Sequence, residues 1–282
     1  MNRGGIGPGI GHETPEAPET PAAPARVKLE IAVQDAAGAR TAFAAGADRV
    51  ELCQALSATG GLTPSAATID AVLQTAENPQ RVAVLVRPRP GGFVYDADEI
   101  ALVTADVREA VRRGAGGIVI GAMTTDGRVD IDAMRRWMDA AGDAEVEFHR
   151  AIDIAPDPVA VIDQLIELGV RRVLTSGGAE RSIDGLGLIA ALVERSAGAV
   201  EVMPGGGVRV QDIRCLVEAG ADAVHLSARA SSSDTSPSGP GGGSAGFDVT
   251  DGAIVAAART AVDRALAAPT RPEQPPRPAA AG

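Results

Sequence analysis

The chain has 282 residues, 45% of them hydrophobic but only 2% aromatic, and a net charge of −11. An acidic chain so short of aromatics has neither the basic footprint nor the stacking surfaces of a nucleic-acid binder, and that class is excluded. Its two cysteines, Cys53 and Cys215, are far apart and outside any C-x-x-C spacing, so neither a disulfide framework nor a zinc signature is present. No apolar run approaches the roughly 18–20 residues of a membrane span, and the first residues lack the apolar core of a signal peptide. A cytoplasmic protein without a membrane segment is expected.

Residues 1–26 are rich in Pro, Glu, Ala and Thr and too poor in large apolar side chains to offset the entropy of ordering them. The same holds for 268–282 and for the Ser/Gly/Pro stretch 231–246, so two disordered tails and one flexible loop are predicted around a single domain, 27–267. Inside it, strand-like and helix-like segments alternate. Val27–Val33 precedes an Ala-rich helix to Ala45, and Arg49–Cys53 precedes a helix from Pro64. Arg81–Arg87 leads to a helix over Asp98–Arg113, and Gly117–Gly121 to one over Asp132–Ala141. A central strand ends in Phe148-His149-Arg150, followed by Pro156, which can open a helix; the helical segment itself is read over Pro158–Leu168. Arg172–Thr175 precedes helix 182–195, Ala199–Met203 precedes 210–219, and Ala223–Ser227 precedes Gly252–Ala267.

A repeat supports eight strand–helix units. Ala45-Gly46-Ala47-Asp48-Arg49-Val50-Glu51-Leu52 matches Ala219-Gly220-Ala221-Asp222-Ala223-Val224-His225-Leu226, with fainter copies at Arg113–Ile120 and Leu168–Thr175. Each is a glycine helix cap running into a strand, before strands 2, 4, 6 and 8. Recurrence at every second unit points to an α/β fold of the (β/α)8 TIM-barrel type, in which alternate strands share interior layers. A doubly wound open sheet is the competing arrangement.

Chemistry in such barrels sits at the C-terminal strand ends. Strand 1 delivers Glu30, strand 2 Glu51 and Cys53, strand 3 Arg87 and Arg89, strand 5 His149, Arg150 and Asp153, and strand 8 His225 and Ser227. Glu30, Glu51, His149, Asp153 and His225 are the acid–base candidates, because crowded ionisable groups drive one another's pKa values apart. An internal salt-bridge network that merely fills the barrel is the plainer explanation of the same residues. Ser176-Gly177-Gly178 and Gly205-Gly206-Gly207 let backbone N–H groups approach an anion without obstruction, and Arg87, Arg89, Arg150 and Ser227 would complete that anion site. Cys53 is the one metal-relevant thiol; a lone strand-end cysteine is otherwise a small buried hydrophobe. Cys215 reads as structural.

The ordered motifs Leu29-Glu30-Ile31, Ala47–Cys53, Gly60–Ser65, Arg87-Pro88-Arg89, Phe148–Asp153, Leu174–Gly178, Gly205–Val208 and His225–Ala228 together resemble the copper homeostasis protein CutC family over roughly residues 27–267. The resemblance implies a cytoplasmic TIM barrel, a homo-oligomer, and a link to copper, without assigning a reaction. Family members usually carry a cysteine just after the first-strand Glu-Ile; here Ala32 stands there, which leaves Cys53 as the remaining thiol for Cu(I). Two functional expectations result: copper handling with Cys53 as ligand, or an enzyme using acid–base chemistry on a small phosphorylated or carboxylated metabolite. A non-catalytic scaffold is the third.

Overall fold

The computed structural model describes Met1, residues 27–232 and residues 246–267. The expected disordered tails beyond Met1, and nearly all of the expected loop 231–246, lie outside the described residues.

Eight parallel strands form the barrel wall: β1 (Lys28–Val33), β2 (Arg49–Leu52), β3 (Val82–Leu85), β4 (Gly117–Ile120), β5 (Glu145–Phe148), β6 (Arg172–Thr175), β7 (Glu201–Pro204) and β8 (Ala223–Leu226). They are hydrogen-bonded in the order β7-β6-β5-β4-β3-β2-β1-β8. A parallel bridge between Gly205 and His225 joins the last two and closes the ring. The open doubly wound sheet is thereby excluded.

The helices are α1 (Ala36–Ala44), the short α2 (Leu56–Thr59), α3 (Ala66–Leu73), α4 (Ala97–Arg112), α5 (Ile131–Ala141), α6 (Pro158–Leu168), α7 (Leu186–Ser196), α8 (Ile213–Glu218) and α9 (Gly252–Ala267). Among the described residues no helix is long and apolar enough to cross a membrane. The helix expected over Pro158–Leu168 is found with those bounds, and one other expectation shifts. α6 opens at Pro158, with the Asp157 side chain accepting from Ala160 N as its N-cap, while Arg150–Ile154 forms a 3₁₀ turn ahead of Pro156. Ser231, expected in the loop, instead ends a strand of a hairpin, β9 (Arg229–Ser231) with β10 (Asp248–Thr250).

The repeat has a physical basis in the structure. Gly46, Gly114, Gly169 and Gly220 all take positive φ as the chain leaves a helix for the next strand, a conformation that costs glycine least. In the two best-matched copies the aspartate then accepts a neighbouring strand's amide: Asp48 from Leu29 N and Asp222 from Val202 N, each at 2.8 Å.

Strand alternation sorts the side chains into two sets. Leu29, Ile31, Val50, Leu52, Val84, Ile118, Val146, Phe148, Val173, Val202 and Val224 join the helices in one continuous apolar shell. The residues between them face inward, and there the barrel carries charge: Glu30, Arg49, Glu51, Glu147 and Arg172 are buried on it. A TIM-barrel interior is usually filled by branched aliphatics; here Leu85, Val119, Leu174 and Met203 fill only part of it.

Candidate functional site

Glu30 and His225 are register partners on the adjacent strands β1 and β8. His225 Nδ1 lies 2.9 Å from Glu30 Oε1, and its Nε2 lies 3.5 Å from Glu51 Oε2. With a carboxylate at each ring nitrogen, imidazolium is the favoured form. Burial alone would lower the His225 pKa, but the Glu30 hydrogen bond and the Glu51 charge carry it to about 9. Burial likewise pushes Glu30 up, and Arg49, 2.5 Å away, with His225 more than offsets it, to about 2. Glu51 has weaker partners, so burial wins and raises it to about 7, against the opposing pull of His225.

Beneath this trio the ion network continues. Arg49 reaches Glu145 at 2.9 Å and Glu147 at 3.1 Å. Arg172 reaches Glu147 at 3.3 Å and also pairs with Glu201. Sequence reasoning passed over Arg49, Glu147 and Arg172, although the charged–apolar alternation of β2 and β5 was a signal that these side chains point inward.

Above the trio, at the C-terminal strand ends, a cavity of about 270 Å³ opens; its lining includes Glu51, Arg87, Phe93, His149, Arg150 and His225. Gly206, Gly207 and Ser227 also line it. The His149 ring lies over Gly121, where a Cβ would come within 2.6 Å of it. Its Nδ1 accepts from Ala151 N at 3.2 Å. Burial, aided by the Arg87 charge, depresses its pKa to about 3, so the ring is neutral with its proton on Nε2. That Nε2 is buried without a hydrogen-bond partner among the described residues. Phe93, also missed from sequence, packs against this ring at 4.7 Å between centroids and under the Arg87 guanidinium at 5.1 Å.

Five expectations are corrected. Asp153 is not a free acid–base group: it accepts from Thr175 Oγ1 (2.6 Å), Ser176 N (3.0 Å), Ser176 Oγ (2.9 Å), Gly178 N (3.3 Å) and Arg150 Nε (2.8 Å). The Ser176-Gly177-Gly178 anion nest is therefore filled by the protein's own carboxylate, and Gly177 serves the turn, packed on Gly185. Gly205 does not offer its amide, which bonds Thr175 O at 2.8 Å. Arg89 turns away from the cavity to pair with Glu99 and to donate to the Gly92 and Val94 carbonyls, over the Tyr95 ring. Cys53 is buried against Ala83, Leu85 and Val119, and burial, reinforced by the Glu51 charge, pushes its thiol far up. The group whose ligand atoms do converge, within 4.8 Å of one another among the described residues, is Glu30, Glu51 and His225.

The fold and the site define a TIM-barrel protein with a charged interior and a cavity at the strand ends. Residues 27–230 match the model of the CutC family, and the chain belongs to that family. It is 46% identical over 202 residues to a CutC family protein of Xanthomonas axonopodis pv. citri, covering 71% of this chain and 83% of that one. To the human copper homeostasis protein cutC homolog it is 42% identical, over 71% of this chain and 73% of the human one. The crystal structure of the putative copper homeostasis protein CutC from Streptococcus agalactiae superposes with a TM-score of 0.67 at 31% identity, covering 71% of this chain and 98% of that one. A thiamine phosphate pyrophosphorylase from Pyrococcus furiosus, at 13% identity and TM-score 0.53, shares the fold alone.

Proposed function

We propose that this chain serves copper homeostasis, as the name of its human relative states for that protein, and that copper meets it as Cu(II) at Glu30, Glu51 and His225. The observation that carries the site is the convergence of these three donor groups, two of which, Glu51 and His225, line the cavity. Cu(I) is served by thiolate and thioether donors, whereas carboxylate and imidazole suit Cu(II). Cys53 is sequestered in an apolar cluster and Ala32 stands where the family's first thiol is expected, so the residues present do not fit a two-cysteine Cu(I) site. A cytoplasmic location and self-association belong to the same proposal and are read by cell fractionation and sedimentation.

The test is a pair of titrations, Cu(II) in air and Cu(I) under anaerobic competition with a chromogenic chelator, on wild type, Cys53→Ser and Glu51→Gln. Stoichiometric Cu(II) binding that survives Cys53→Ser and is lost in Glu51→Gln is expected. Cu(I) binding abolished by Cys53→Ser, or no binding of either ion, overturns the assignment.

A further inference from the structure

The cations around the cavity differ in one respect. Arg150 is paired with Asp153, Arg229 with Asp248, and His225 with Glu30 and Glu51. Arg87, 8% exposed, has no carboxylate partner among the described residues. Its Nη1 donates to the carbonyls of Thr59 (2.9 Å) and Gly61 (3.1 Å) and its Nη2 to that of Gly91 (2.8 Å), all neutral acceptors. Its Nε–H is buried without a hydrogen-bond partner among the described residues, and the further polar group beside the guanidinium, the Tyr95 hydroxyl, is neutral as well. A buried charge without a counter-charge is costly, and native proteins pair such groups. Across the Phe93 ring, the His149 Nε2–H is a second buried donor with nothing to accept it among the described residues.

We infer that the cavity binds a small organic carboxylate, its carboxylate held by the Arg87 guanidinium through the unused Nε–H and a second oxygen, carbonyl or hydroxyl, accepting from His149 Nε2–H. Simple 2-oxo and 2-hydroxy acids have this chemistry. The uncompensated Arg87 charge and its unused Nε–H suit a carboxylate, to which a guanidinium donates charge-assisted hydrogen bonds. A phosphate would call on a backbone cradle as well, and the Ser176–Gly178 amides that could have formed one are committed to Asp153. Gly60 and Phe93 flank Arg87, which is 8% exposed, so a pairing there is less screened than at the surface.

The site is separate from the copper reading in its residues, and the experiment keeps the two apart by using chelator-treated, metal-free protein. Pyruvate, lactate, 2-oxoglutarate and inorganic phosphate are titrated by calorimetry, with the His149 ring N–H followed by ¹⁵N-edited NMR. Saturable binding of at least one of the acids is expected, with the ring N–H resonance moving as it binds. Arg87→Gln and His149→Phe should each weaken Kd about tenfold or more, the loss of one charge-assisted or buried hydrogen bond, while Arg89→Gln binds as wild type. If Arg87→Gln fails to fold, the His149→Phe titration and the wild-type ring N–H shift decide. Absence of binding by all three acids, binding indifferent to His149→Phe, or preference for phosphate overturns the inference.

Discussion

Arg49 holds the barrel interior together, and its removal gives the sharpest test of how that interior is stabilised. In Arg49→Met the side chain keeps its apolar stem, but Glu30 and Glu147 are left buried without their nearest cation. Breaking a buried ion pair on one side costs about 3–5 kcal/mol, because the surviving charge stays desolvated. For a domain of this size that is a fall in Tm of about 6–20 °C. The surface pair Arg195–Asp163, with two bonds of 2.6 and 2.7 Å, supplies the contrast: in high dielectric its loss is worth at most about 1 kcal/mol. Denaturant unfolding of Arg49→Met and Arg195→Met measures both. The pH dependence adds a signature. Glu30 is depressed to about 2 in the folded protein, so its stabilisation is present above the ordinary carboxylate range and is lost only as pH falls from there through about 2. Without Arg49 the buried carboxylates protonate instead, and the stability gap to wild type narrows below about pH 5. A loss no larger than that of Arg195→Met, or a gap that does not change with pH, would refute the idea of a charge-balanced core.

Three further predictions concern the site walls. His225, raised to about 9, and Glu51, raised to about 7, both stabilise fully below their unfolded pKa values and lose that contribution as pH rises through the folded ones. Stability of metal-free protein should therefore decline between about pH 5 and 9, with Glu51→Gln flattening the lower part of that slope and His225→Gln the upper part in denaturant titrations. Asp153→Ala strips an acceptor from Ser176 N, Gly178 N, Thr175 Oγ1 and Arg150 at once. Urea unfolding should show a loss of about 2–4 kcal/mol, and faster amide exchange at Ser176 and Gly178. Gly121→Ala places a Cβ 2.6 Å from the His149 ring; overpacking there should cost about 1–3 kcal/mol, and a displaced ring N–H resonance in NMR would locate the strain.

Much of the fold could be read before any coordinates because local signals and the global arrangement agree. The glycine caps at Gly46, Gly114, Gly169 and Gly220 are set by backbone sterics, which a sequence shows directly. α6 and α9 have the predicted bounds because Pro158 starts one and the apolar spacing runs unbroken through the other. Of the two neighbouring prolines, Pro158 opens the helix because it follows the capping aspartate, Asp157. The β9–β10 hairpin was not foreseen, since its strands are three residues each and one emerges from a Ser/Gly run.

The site was legible as an inventory and not as a pairing, and that difference decides which residues are left for a ligand. Sequence placed Glu30, Glu51 and His225 together because register follows from the repeat, and the structure puts them in contact. Arg87, Arg89 and Arg150 looked equivalent as anion holders, each a cation at a strand end. In the fold Arg89 is cancelled by Glu99 and Arg150 by Asp153. The nest that looked built for an external anion already has one, supplied from the end of β5. What separates Arg87 from its neighbours is a missing carboxylate among the described residues. That property belongs to the space around a residue and has no trace in the residue itself. Charge that the fold leaves unbalanced beside a cavity is thus the part of the site only the structure could show, and here it falls on Arg87 and His149 rather than on the cysteine that the sequence singled out.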